Sequence, residues 1–179
     1  MSFTIDDQVL CSLLPDDGDA ARQQFLDLLN SPQETWIVAY SFTMADFASE
    51  IIAAHKAGVP IHIYLDKSQS GGTMEKPQVQ ALVDAGVEVT IGTSTAGSAY
   101  ICHDKAVTTT DGRCFVGSCN FSVTGWKQVN AIFQFTDAQY HQHLRDQFNT
   151  LVAYAWANER QDQLMTQQPA ASLNLTLTQ

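Results

Sequence analysis

Apolar residues fall along the chain in short runs of strand length, separated by stretches with helical spacing. Gln8–Leu14 is one such run, ended by Pro15 and an Asp16-Asp17-Gly18-Asp19 turn, and predicts a first strand. Asp19 is placed to cap a helix over Ala20–Leu29, with Phe25, Leu26, Leu28 and Leu29 on its apolar side. Glu34–Ser41 is rich in β-formers and predicts a buried strand. Thr43 is placed to cap a second helix, Met44–Ala57, in which Phe47, Ile51 and Ala54 recur at helical spacing and which Gly58 closes. Val59–Leu65 alternates through Val59, Ile61, Ile63 and Leu65 and predicts a strand ending in Asp66-Lys67. Ser68–Thr73 reads as a Gly/Ser loop, Pro77–Ala85 as a helix stopped by Gly86, and Val87–Ile91 as a further strand. This β-α rhythm predicts an α/β sandwich containing parallel strand pairs.

After a second Gly/Ser/Thr loop, Gly92–Ser98, the pattern changes. Tyr100–Thr109 and Arg113–Ser118 read as strands joined by Asp111-Gly112, a strong hairpin signal. Gln128–Phe135 reads as one more strand and Ala138–Ala157 as a long amphipathic helix. Residues 159–179 carry five Gln from Gln161 onward and weak periodicity, so a mobile tail is expected there, with residues 1–158 as one domain. No internal repeat is visible.

With 179 residues, 45% hydrophobic and 16% charged, the chain can bury a core, which excludes wholesale disorder. The net charge is −10, which argues against a general basic coat for nucleic acid. The acidity sits in residues 1–50, which hold nine acids against Arg22, while the remainder is near neutral. A local phosphate site is compatible with that distribution. The start shows no basic leader followed by an apolar run, and no stretch reaches the roughly 20 apolar residues of a membrane span. The four cysteines, Cys11, Cys102, Cys114 and Cys119, form no C-x-x-C pair and read as reduced thiols or core packing. A cytoplasmic location without membrane insertion is the expectation.

The chemistry-bearing segment is Ile101–Phe121, ICHDKAVTTTDGRCFVGSCNF. His103 and Lys105 are two apart on a predicted strand and emerge from one face; Ser118 and Asn120 are likewise two apart at the end of the next. An imidazole, an ammonium, a hydroxyl and a carboxamide thus converge at one sheet end. They offer a nucleophile or acid near neutral pH and three donors for phosphate oxygens. Gly117 is expected to let backbone approach that anion.

The spacing H-x-K followed by G-S-x-N, with Gly117 fourteen residues after His103, resembles the phospholipase D superfamily. Tyr40-Ser41-Phe42-Thr43, the helix leading to Ala57-Gly58-Val59, the strand ending in Asp66, and His103-Asp104-Lys105 extend the resemblance to its small bacterial Nuc-type endonucleases, over roughly Val9 to Trp156. The resemblance implies a phospholipase D-like α-β-α sandwich with a mixed sheet and one motif per chain. It further implies a phosphodiesterase in which one His forms a phosphohistidine, a second protonates the leaving oxygen, and Lys and Asn hold the phosphoryl oxygens. No metal and no other cofactor is needed. Since the chain carries one motif, the family's small members imply a C2 homodimer with the active site on its dyad, each subunit giving one His103, Lys105 and Asn120. Two positions depart from the family pattern. Thr110 stands where Asp is usual, with Asp111 beside it as a substitute supporting the hairpin. Val129-Asn130 stands where a carboxylate often orients the catalytic imidazole, and Asn130 or Asp104 is the available replacement.

Further residues carry weaker expectations. Lys67 and Lys127 are candidates to reach flanking phosphates, with solvated lysines as the alternative, and Trp126 for base stacking or core packing. His141 and His143 read as solvated helix residues, and Cys102 and Cys119 as small hydrophobes flanking the motif. Three functions follow: a nuclease acting on DNA or RNA, a phospholipid phosphodiesterase or phosphatidyltransferase using the same residues, and a weakly active or inactive binding member of the fold. The lipid reading lacks a membrane helix, a basic amphipathic face or a lipidation signal.

Overall fold

Two runs of consecutive buried residues organise the sheet. In a computed structural model, which describes residues 3–5 and 8–167 (side chains from 8 to 160), every residue of the strand Thr35–Ala39 is buried, and nearly every one of Ile61–Asp66. Such continuity arises where both faces of a sheet are covered. In chain order the elements are β1 (Phe3–Ile5), β2 (Val9–Leu14), α1 (Gly18–Leu29), β3 (Thr35–Ala39), α2 (Ala45–Lys56), β4 (Ile61–Asp66), α3 (Lys67–Ser70) and α4 (Lys76–Asp84). There follow β5 (Glu88–Gly92), β6 (Lys105–Thr109), β7 (Arg113–Gly117), α5 (Val123–Lys127), β8 (Asn130–Thr136) and α6 (Ala138–Gln167). The eight strands form one mixed sheet in the order β1-β2-β8-β7-β6-β3-β4-β5. Strands β3, β4 and β5 run parallel; every other pair is antiparallel.

Alternation along β3 divides the core into two layers. Ile37 and Ala39 join Phe25, Leu28, Phe47, Ile51 and Leu82 from the α1, α2 and α4 side. Trp36 and Val38 join Leu144, Phe148, Leu151 and Ala155 of α6 on the other. The α-β-α sandwich expected from the sequence is therefore present. All four cysteines are free and buried, as their apolar reading requires.

The boundaries differ where tertiary contacts override local pattern. Asp19 does not cap α1; it lies in the first turn, while Asp17 precedes the helix and accepts from the Leu13 amide at 2.8 Å. Thr43 does not cap α2 either: Met44 holds that position, and the Thr43 amide donates to Phe121 O at 2.8 Å. The Ser68–Thr73 loop contains most of α3, because the Asp66 carboxylate accepts from the Ser68 amide and starts a turn. The strand expected over Tyr100–Thr109 is shortened to Lys105–Thr109. Helix α6 runs past Ala157 to Gln167, so the expected domain boundary at 158 falls inside it, and the rest of the C-terminal segment lies outside the described residues. His141 is not a solvated helix residue. It is buried against the sheet, 3.0 Å from Thr108 Oγ1 and edge-on to Trp36, and burial lowers its pKa. His143 is exposed as expected.

Candidate active site

Strand direction gathers the site at one end of the sheet. Antiparallel pairing sets the start of β6 beside the end of β3, with Lys105 opposite Ala39, and the end of β7 beside the start of β8, with Gly117 opposite Ile132. The end of β4 lies alongside. Tyr40, Asp66, His103, Lys105, Ser118, Asn120 and Asn130 therefore occupy one rim.

His103 is not on a strand, contrary to the expectation. The chain leaves the sheet at Asp104, whose carbonyl accepts from the Tyr40 amide at 3.0 Å, and crosses the end of β3 towards β4. There the fully buried Asp66 carboxylate accepts from the Cys102 amide at 2.6 Å and from Ser68 N and Oγ at 2.9 and 2.5 Å. Asp66 thus fixes the residue preceding the imidazole. His103 itself is exposed, and its ring packs at 57° against Tyr40 with centroids 4.6 Å apart. Lys105 begins β6 and is buried; its Nζ donates to His103 O at 2.5 Å and lies 5.1 Å from the Tyr40 ring centroid. Burial lowers the Lys105 pKa, with Asp104 opposing the shift. Tyr40 Oη accepts from Gln69 at 3.0 Å. The segment carrying Tyr40 is held by the buried Glu75, whose Oε2 accepts from the Phe42 amide at 2.8 Å. Burial pushes the Glu75 carboxyl above the usual carboxylate range.

Ser118 and Asn120 lie just beyond β7 rather than on it. The Ser118 hydroxyl donates to Asn130 Oδ1 at 2.8 Å and accepts from the Ala131 amide at 3.2 Å, so it braces the start of β8 instead of presenting a free donor. Asn130 donates to Gly125 O at 2.9 Å. Its carboxamide supports the loop and does not orient the His103 of its own chain. The Asp104 Oδ1 atom accepts from the Lys105 amide at 2.9 Å, and no hydrogen bond joins its carboxylate to the His103 ring among the described residues. Asn120 keeps a buried Oδ1 without a hydrogen-bond partner. Gly117 has a reason other than the one expected: a Cβ there would stand 2.2 Å from Ala131 O, so the glycine admits the neighbouring strand. Asp111 sits in the hairpin turn and accepts from Thr109 Oγ1 at 2.5 Å and Arg113 Nε at 2.9 Å. Burial alone would raise its pKa, but these two partners outweigh it and the net shift is downward.

The outlying candidates separate. Trp126 is partly buried and packs against the core, donating to Gly18 O at 3.3 Å and meeting Phe47 edge-on. Lys127 is exposed at the end of α5. Lys67 lines a cavity with Thr93, Ser98, Asn158 and Glu159, apart from the one that His103 lines. Burial pushes the Cys102 and Cys119 thiols up to about 11 and about 12, which leaves neither as a nucleophile near neutral pH. Tyr40 and Asp66 entered the sequence reading only as part of the family resemblance, and Glu75 had no place in it. Only Asp66 left a local signal, an acid two residues before Ser68 where a strand becomes a turn.

A mixed sheet covered on both faces, with imidazole, ammonium and carboxamide at one rim, defines a phospholipase D-like α/β protein. Residues 25–152 match the family described as "Cardiolipin synthase, PLD-like domain", and the chain belongs to that family. Among solved structures it is similar to Nuc, a phospholipase D family member from Salmonella typhimurium, with a TM-score of 0.68 and 22% identity over 79% of this chain and 93% of that one. NucT from Helicobacter pylori gives a TM-score of 0.69 and 18% identity over 82% of this chain and 96% of that one. Phosphatidylserine synthase from Haemophilus influenzae gives 0.56 and 13%, covering 79% of this chain and 38% of that one. At such identities these likenesses bear on the fold. No curated protein sequence matches the chain. Among the described residues no helix is long and apolar enough to cross a membrane.

Proposed function

We propose that the chain is a metal-independent phosphodiesterase of the cytoplasm that cleaves DNA or RNA as a C2 homodimer, through a phosphohistidine at a site shared on the dyad. The observation that carries this reading is an exposed His103 whose neighbour Lys105 lies on its carbonyl oxygen, in a motif present once per chain. One imidazole cannot be nucleophile and leaving-group acid in the same step. A second copy supplies the other, and the exposed apolar side chains of Tyr100 and Val129 on the same rim suit such an approach. A ring nitrogen of His103 bonds to phosphorus as the P–O bond to the leaving group breaks, and the partner's His103 gives that oxygen its proton. Water then attacks phosphorus, passes a proton back to the partner's His103, and displaces the first imidazole. Lys105 and Asn120 hold the non-bridging oxygens, and Ser118 contributes by bracing the loop that carries Asn120. Both subunits are acidic, so the substrate is held locally rather than by a broad basic surface.

The assay is hydrolysis of single-stranded oligonucleotides and of bis(p-nitrophenyl) phosphate by wild type and His103→Ala. Wild-type activity should survive EDTA and vanish in the variant, and mass spectrometry of a rapidly quenched reaction should find phosphorus on His103. Activity retained in the variant, or a strict requirement for a divalent cation, overturns the reading. The family's association with cardiolipin synthase favours one second reading, a phospholipid substrate for the same residues; stable flotation with anionic liposomes would support it.

A further inference from the structure

A cavity of about 450 Å3 opens beside His103, between the loop that follows β5 and helix α6. That is enough for a small organic group. Ile101 and Leu151 give it apolar surface, while Asp104, Gln147 and Thr150 give it a polar edge. Apart from His103, none of its lining side chains is a cation, so a second backbone phosphate has no partner there and would face the Asp104 carboxylate. The unit beside the scissile phosphate must therefore enter this cavity uncharged or positive.

The polar edge is rich in acceptors. The Asp104 Oδ1 atom accepts from the Lys105 amide, and no donor in the chain is directed at its second oxygen among the described residues. The Thr150 hydroxyl donates to Asp146 O at 2.8 Å, which leaves it lone pairs to accept with. The Gln147 side chain has no hydrogen bond among the described residues and offers a carbonyl and an amide together. Gln147 and the Ser94, Thr95 and Thr150 hydroxyls can donate or accept, whereas the Asp104 carboxylate only accepts, so the one fixed preference is for a flat group with an exocyclic amine at its edge. Cytosine, adenine and guanine carry such an amine; thymine and uracil carry none and present carbonyls instead.

Resting on the nuclease reading above, we propose that this cavity is the subsite for the nucleobase attached to the scissile phosphate, and that Asp104 and Gln147 select bases carrying an exocyclic amine. The base lies between Ile101 and Leu151, and its amine donates to the two selecting side chains. This makes the enzyme a nuclease with a preference for single-stranded C, A or G over T or U at that position, since a paired base has its edge occupied.

The test compares kcat/KM for oligo(dC) and oligo(dT), with bis(p-nitrophenyl) phosphate and p-nitrophenylphosphorylcholine as substrates lacking a base. Wild type should favour oligo(dC) by about tenfold, the discrimination of one unmatched polar contact. The ratio should collapse towards unity in Gln147→Ala, an exposed helix position that tolerates truncation, and in Asp104→Asn. The ratio, not the rate, is the readout, because Asp104 adjoins His103. Equal cleavage of the two oligonucleotides by wild type, or a ratio unchanged in both variants, overturns the subsite. Turnover of the choline ester above both oligonucleotides overturns it by placing an ammonium in the cavity. Failure of wild type on every substrate, the aryl diester included, defeats the nuclease reading itself and the subsite with it.

Discussion

Asp66 is the side chain on which the position of the imidazole most depends, and its removal has a calculable cost. It is fully buried and accepts three hydrogen bonds, one from the Cys102 amide next to His103 and two from Ser68. In Asp66→Ala the Cys102 amide is left buried without an acceptor, at about 1–3 kcal/mol. Ser68 loses its capping oxygen at about 1 kcal/mol more, although water replaces part of this because Ser68 is exposed. The sum, about 2–4 kcal/mol, corresponds to a fall in Tm of roughly 5–15 °C for a chain of this size. Asp66→Asn keeps the volume and one oxygen, which can still face Cys102, so about half that loss is expected. The catalytic consequence should exceed the stability one. Once residues 101–104 are released, His103 no longer sits at a fixed distance from phosphorus, and an error of about 1 Å can lower turnover by about a hundredfold. Thermal unfolding followed by circular dichroism gives the first quantity, and kcat on bis(p-nitrophenyl) phosphate at temperatures where both proteins are folded gives the second. A variant Asp66→Ala with Tm within about 1 °C of wild type and unchanged kcat would show that the carboxylate does not hold this loop.

Three further outcomes follow from the same rim. Gly117→Ala puts a Cβ 2.2 Å from Ala131 O and 3.0 Å from the Ile132 Cα, backbone atoms that cannot rotate away, so the β7–β8 ladder must open; a loss of about 3 kcal/mol is expected in denaturant titration. Burial raises the Glu75 carboxyl, so the folded state holds that proton more tightly than the unfolded chain does, and the associated stability is present at low pH and lost as pH rises through 4.5 and on through the folded value. Glu75→Gln keeps an acceptor for the Phe42 amide, so it should raise Tm at neutral pH and flatten that part of the profile; a lower Tm with an unchanged profile counts against it. Val129 is 90% exposed, so Val129→Glu should leave Tm within about 1 °C while raising turnover by restoring the carboxylate that the family resemblance associates with the imidazole. An unchanged rate would mean that position 129 does not reach either His103.

The sandwich was legible because its signals are local. Strands β3 and β4 are covered on both faces and read as unbroken apolar runs, Asp111-Gly112 marks a hairpin, and the H-x-K and G-S-x-N spacings put one side-chain set at one rim. What was hidden depends on partners distant in sequence. Nothing near His103 says that a carboxylate 36 positions upstream of Cys102 takes that residue's amide out of a strand ladder. His141 looked solvated because its helix neighbours are polar, yet Thr108 and Trp36 of the sheet enclose it. Gly117 looked like a ligand-facing residue because it belongs to the motif, whereas the close approach of Ala131 accounts for its placement; for Trp126, open between base stacking and core packing, the bond to Gly18 shows the packing.

Whether two copies of His103 share one phosphorus is decided most directly by subunit mixing. Wild type and His103→Ala, refolded together in graded proportions at constant total protein, should give activity that falls as the square of the wild-type fraction, so that an equal mixture retains about a quarter. A linear fall, with about half the activity left in the equal mixture, would mean that each chain works with its own imidazole, and the shared site would not exist.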